Sequence, residues 1–152
     1  MDDEEAIPLA EVTCILGRAL MAFATGDVEA MELFTDDVIG DGPNLHVRSQ
    51  SELQNQLLDR AGALSNVAFS LDQVDVVGPK TFVASWRVAG DHTGPLMLNE
   101  DLLFEPSGRR IDLSVTTRVV VRGRRIAEFQ AAYVDGDPVE QIRGLSPSPD
   151  ER

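Results

Sequence analysis

The sequence predicts an α+β domain, with helices gathered on one face of an antiparallel sheet. Three observations carry this. Apolar residues recur at three- and four-residue spacing through roughly the first 60 positions, and from about residue 67 the period falls to two. The two-period stretches then come in pairs joined by tight turns at Gly78-Pro79 and Arg122-Gly123-Arg124.

Taken in order, Leu9, Val12, Ile15, Leu16, Ala19, Leu20 and Phe23 form one stripe of an amphipathic helix. Pro8 suits its first turn, and Thr25-Gly26-Asp27 ends it. Val28, Met31, Leu33 and Phe34 predict a short second helix closed by Thr35-Asp36-Asp37. VIGDGPNLHV, 38–47, reads as extended chain broken by Gly40, Gly42 and Pro43. Ser49 and Glu52 stand in capping-box register and open a third helix, with Leu53, Leu57 and Leu58 on its buried face. VAFSLDQVDVV (67–77) and KTFVASWRVAGDH (80–92) are the first strand pair, and RRIDLSVTTRVVV (109–121) and RRIAEFQAAYVD (124–135) the second. Between the pairs, LMLNEDLLFEPSG (96–108) is a longer connection with room for a short strand. Residues 1–6 read as a flexible acidic arm, 7–145 as a single domain, and 146–152 as a disordered Pro/Ser-rich tail.

Thirteen basic side chains against 26 acidic ones give a net charge of −13, which speaks against nucleic acid and against anionic lipid as partners. The RGRR cluster, 122–125, reads as a hairpin turn with solvated arginines. No apolar run approaches the roughly 18 residues of a membrane span, and the acidic N-terminus is unlike a secretory signal. The single cysteine, Cys14, lies within the first helical pattern and is expected to be buried and structural. A cytoplasmic location is therefore expected. No His/Cys cluster has metal-ligand spacing and no Gly-rich phosphate loop follows a strand, so neither metal nor cofactor is expected.

Strand alternation selects the candidate site. On 80–92, Phe82, Ala84, Trp86, Val88, Gly90 and His92 share a face; on the last strand, Phe129, Ala131, Tyr133 and Asp135 do. If both rows turn toward the helices, they make an apolar wall rimmed by His92, Tyr133 and Asp135. Such a rim suits proton abstraction beside a carbonyl. Burial among apolar groups raises an aspartate toward a useful base, and a histidine or tyrosine donates to the developing enolate. Each residue also has a plainer reading. Asp135 precedes Gly136-Asp137-Pro138 and suits a turn; His92 suits a loop beside Asp91; Tyr133 and Trp86 suit a core; Arg118 suits solvent or a subunit interface.

The chain resembles the SnoaL-like polyketide cyclases, within the nuclear-transport-factor-2-like cone fold, over roughly residues 8–145. FATGDVEAMELFTDDV (23–38), SWRVAGDHTGPL (85–96) and PSGRRIDLSVTTRVVVRGRRIAEFQAAYVD (106–135) carry the resemblance. It implies a strongly curved, cone-shaped antiparallel sheet with the three N-terminal helices packed on its concave side. It implies cofactor-independent ring closure of a polyketide by intramolecular aldol condensation. An acid/base carboxylate near the end of the last strand would be Asp135, which stands one residue later after IAEF than the usual spacing. Either a bulge absorbs that residue or Asp135 lies outside the pocket. His92 would be its partner, and Trp86, Tyr133 and Phe129 would contact an apolar or aromatic ligand. A homodimer is expected for the fold. Asp41 matches the region where ketosteroid isomerases of the same fold place an aspartate, though it also suits a turn ahead of Gly42-Pro43. An isomerase-like proton transfer is therefore an alternative, as is a non-catalytic ligand-binding or dimerisation module.

Overall fold

The computed structural model of the chain describes residues 7–42, 45–99, 102–135 and 141. The arm expected at 1–6 and the tail expected at 146–152 lie outside the described residues.

The first helix, α1, is Leu9–Thr25, with Pro8 at its N-cap. Gly26 ends it in the left-handed region at φ 75°, donating its N–H to the Ala22 carbonyl. A residue with a β-carbon would be strained there, and that carbon would lie 2.6 Å from Ala61 Cβ. Glycine thus lets the end of α1 meet the end of the later helix α2, Gln50–Arg60. A 3₁₀ turn, Val28–Leu33, follows α1, with the Asp27 carboxylate accepting from Glu29 N–H. The expected closure at Thr35-Asp36-Asp37 does not occur, because Phe34–Gly42 is strand β1. Phe34 and Val38, both 0% exposed, anchor that strand in the core and outweigh the turn propensity between them. Strand β2, Leu45–Val47, pairs back on β1.

Helix α2 starts as its sequence predicts. Ser49 accepts from Glu52 N–H, while the Glu52 carboxylate reaches one residue further back, to Arg48 N–H. Leu53 and Leu57 are buried, but Leu58 is exposed. Cys14 is likewise exposed rather than buried. The buried stripe of α1 is Val12, Ile15, Leu16, Ala19 and Leu20, and position 14 falls on the other side of the helix.

The remaining strands are β3 (Leu64–Val76), β4 (Thr81–His92), β5 (Leu96–Asn99), β6 (Leu102–Phe104), β7 (Arg110–Arg122) and β8 (Arg125–Asp135). Six strands make one curved, unclosed sheet in the order β2-β1-β8-β7-β4-β3, and β5 and β6 form a separate hairpin. Pairing is antiparallel throughout except between β1 and β8, which run parallel, so the sheet is mixed. The β7–β8 turn places Gly123 and Arg124 at φ 59° and 66°, the left-handed pair that matches strand twist. Its arginines are ion-paired: Arg122 with Asp37, and Arg124 with Glu11 of α1. Exposed pairs of this kind contribute about 0–1 kcal/mol each.

The core lies between the helices and the inward rows of β4, β7 and β8. Phe34, Leu16, Leu20, Leu53, Leu57, Ile111 and Ile126 are its largest fully buried apolar side chains, each worth roughly 1.5–3 kcal/mol of burial. Among the described residues, no helix is long and apolar enough to cross a membrane.

Candidate functional site

The sheet registers build a wall row by row. Phe82 pairs with Val119, and Val119 with Phe129; this row is solid core, with the Phe129 ring 5.4 Å from Phe23 and 6.1 Å from Phe34. Trp86 pairs with Val115, and Val115 with Tyr133; Val88 then pairs with Leu113 and Gly90 with Ile111. Above these latter rows the helices no longer fill the space, and a cavity opens.

Its wall is Trp86 and Val88 of β4, Ile111, Leu113 and Val115 of β7, and Ala131 and Tyr133 of β8. Phe23 and Ala24 close it from α1; Arg60, Ala63 and Leu64 come from the end of α2 and the chain that follows. Leu96 of β5, Gly42 of β1 and Leu45 of β2 complete the lining. The cavity has a volume of about 130 Å³. The indole N–H of Trp86 donates to Thr117 Oγ1 at 3.0 Å, which fixes the ring as cavity wall, 5.7 Å from Phe69.

Two further lining side chains, Tyr133 and Arg60, carry polar atoms. Arg60, last residue of α2, was not singled out by the sequence, because it falls outside the leucine stripe. Half-buried, it is pushed below the usual guanidinium range by desolvation, while Tyr133 and Asp59 favour its charged form. A helix ending in Arg just before Ala-Gly-Ala was the available signal, since a cation suits a helix C-terminus.

The sequence-selected residues separate. Trp86 and Tyr133 share the cavity. Phe129 lies one layer deeper, 2% exposed in the aromatic core. Asp41 sits on β1 with its carboxylate on His46 and within 3.8 Å of Arg48, outside the lining. His92 is fully buried two residues beyond Gly90, also outside the lining. Its Nδ1 accepts from Ser107 N–H at 3.1 Å and lies 2.8 Å from Ser107 Oγ. Because a backbone N–H can only donate, Nδ1 is unprotonated and the neutral ring carries its proton on Nε2. Burial holds this imidazole below the usual histidine range, with partial opposition from the Gly94 carbonyl. Asp91 points the other way, to Asn66 Nδ2 (2.9 Å) and Arg110 Nη1 (3.0 Å), which hold its carboxyl below the usual range. Asp91 and His92 are therefore not a dyad.

Asp135 ends β8, and its side chain lies outside the described residues. Its backbone pairs with Ser114, whereas Tyr133 pairs with Val115, so Val134 is an extra residue in the ladder. The bulge sets the Asp135 backbone level with Ser114, between the cavity rows Leu113 and Val115. Among the described residues, no three His, Cys, Asp or Glu side chains converge in a way that would hold a metal ion.

The profile of the SnoaL-like domain family matches residues 16–129. The chain belongs to the SnoaL-like domain family. Solved structures carry the same cone. TsrD from Streptomyces laurentii superposes with a TM-score of 0.73 at 18% identity, covering 91% of this chain and 99% of that one. A candidate SnoaL-like polyketide cyclase from Jannaschia sp. CCS1 gives 0.68 at 16%, covering 93% and 92%. IdmH from Streptomyces antibioticus, a candidate polyketide cyclase, gives 0.65 at 16%, covering 88% and 98%. At such identities these likenesses establish the fold. No curated protein matches in sequence. For a SnoaL-like domain, the cavity described above is the concave interior of the cone, bounded by sheet on one side and helix ends on the other.

Proposed function

We propose that this SnoaL-like protein is a cofactor-independent enzyme acting on an apolar carbonyl compound, with ring closure of a polyketide by intramolecular aldol condensation as the reaction. The observation that carries the reading is an apolar cavity whose wall row runs Trp86–Val115–Tyr133, with the end of β8 beside it. In this reading Asp135 takes a proton from the carbon next to the carbonyl and returns it to the new alkoxide. Tyr133 donates to the oxygen that gains charge, where a positioned donor in a dry site is worth most. His92, outside the lining, holds the 107–109 loop through Ser107 and acts as a positioning residue. The same reading pairs two copies through the outer sheet face, where Ser85, Ala89, Thr116 and Ala132 leave a surface of small side chains, and places the protein in the cytoplasm.

The test is α-proton exchange on a bicyclic ketone such as tetralone, followed by NMR in deuterium oxide. Asp135→Asn is expected to slow enzyme-dependent exchange by about 100-fold or more, and Tyr133→Phe by about tenfold. Asp41→Asn is expected to leave it unchanged. Loss with Asp41→Asn and not with Asp135→Asn would instead assign isomerase-like chemistry to Asp41. A ligand that binds but never exchanges would favour the second reading, a non-catalytic binding module. The placement of His92 outside the cavity speaks for that second reading.

A further inference from the structure

We propose that Trp86, held by Thr117, sets the size of the ligand: the cavity encloses one apolar six-membered ring, and any further ring stays outside it. The inference rests on the small-molecule reading above and narrows its substrate class to compounds that present one free ring.

Volume gives the first bound. An apolar cavity of about 150 Å³ accepts one benzene, whereas sites that enclose a drug-sized compound run from about 300 Å³ upward. At about 130 Å³ this cavity stands with the former. Its wall is mostly aliphatic and aromatic, so the part of a ligand it encloses is apolar. A fused system of several rings does not fit inside.

The sheet registers show what limits the space. Next to the row Trp86–Val115–Tyr133 comes the row Ala84–Thr117–Ala131, small side chains throughout, and then the large row Phe82–Val119–Phe129. A small row between two large ones leaves room above it, into which the cavity could continue. It does not continue: of the three, only Ala131 lines the cavity, while Ala84 and Thr117 are fully buried. The Trp86 indole accounts for the difference. Its N–H donates to Thr117 Oγ1 at 3.0 Å, so the indole reaches out of its own row and over the small one. It fills the space that a second ring would take, and a buried hydrogen bond keeps it there.

Isothermal titration with methyl phenyl ketone and methyl naphthyl ketone tests this. The wild-type protein is expected to bind the two within about threefold of each other, because the second ring gains no enclosure. Trp86→Leu uncovers Ala84 and Thr117 and is expected to bind the naphthyl ketone at least about tenfold more tightly than the phenyl ketone. Trp86→Phe, a smaller change, is expected to move the ratio the same way and serves if Trp86→Leu does not fold. A merely structural role for Trp86 would weaken both ketones alike and leave their ratio unmoved. A wild-type preference for the naphthyl ketone above that range, or a ratio unchanged in the variants, overturns the proposal while the small-molecule cavity stands. Binding of neither ketone by the wild type overturns both.

Discussion

Gly40→Ala is expected to destabilise the fold by about 1–3 kcal/mol, a large effect for a single methyl group. A β-carbon on Gly40 would lie 2.0 Å from Phe129 Cζ and 2.3 Å from Cε2. Gly40 and Phe129 are direct partners in the parallel β1–β8 pairing, so the ring crosses the strand where a side chain would stand. The ring has little freedom to withdraw, being 2% exposed and packed against Phe23 and Phe34. A drop of about 2–4 °C in melting temperature per kcal/mol is expected for a domain of this size. Gly17→Ala is the control of opposite sign. It lies inside α1 with nothing within 4 Å of the added carbon, and alanine there should stabilise by roughly 0.5–1 kcal/mol. A Gly40→Ala protein that melts with the wild type would show that Phe129 does not occupy that space.

His92 is expected to make the protein lose stability on mild acidification. Its buried ring is neutral and accepts from Ser107 through Nδ1. Burial holds its folded value below the roughly 6.5 of an unfolded histidine. Between those two values the unfolded chain carries a proton that the folded chain lacks, so stability rises with pH across that window. Falling from about pH 6.5, stability should therefore decline by up to about 1.4 kcal/mol per pH unit. The lowered carboxylates Asp37 and Asp91 act in the same direction but only in the acid range, below the window where histidine titrates. His92→Asn, which leaves an acceptor near Ser107, should flatten the slope. His92→Leu leaves the Ser107 N–H without its acceptor and should cost about 1–3 kcal/mol at neutral pH. Denaturant melts at pH 7.5, 6.5 and 5.5 read both effects; an unchanged slope in His92→Asn would remove His92 as its source.

The two residues also show where sequence reasoning reaches and where it stops. The rows Phe82 to His92 and Phe129 to Tyr133 were legible because alternation in a half-buried strand fixes which side chains share a face. The Ser49 cap and the Gly26 stop were legible because each answers a local backbone need. Gly40 was not, since a glycine that breaks a strand and one that admits a neighbouring ring look alike until the partner strand is known. His92 was placed on the correct face, but which inward residues border empty space depends on how far the helix ends extend over each row. Arg60 was missed for the same reason: it lines the cavity together with Tyr133, which its helix pattern does not reveal. The bulge at Val134 lies beyond any period-two rule, because the extra residue is visible only once the register against β7 is known.

The occupancy of the cone is best settled by intermolecular NOEs between methyl naphthyl ketone and methyl-labelled protein. Contacts are expected to the methyls of Ala63, Val88, Leu113, Val115 and Ala131, which surround the cavity. Contacts confined to Val83, Val120 and Ala132 on the outer sheet face, or none at saturating ketone, would contradict it.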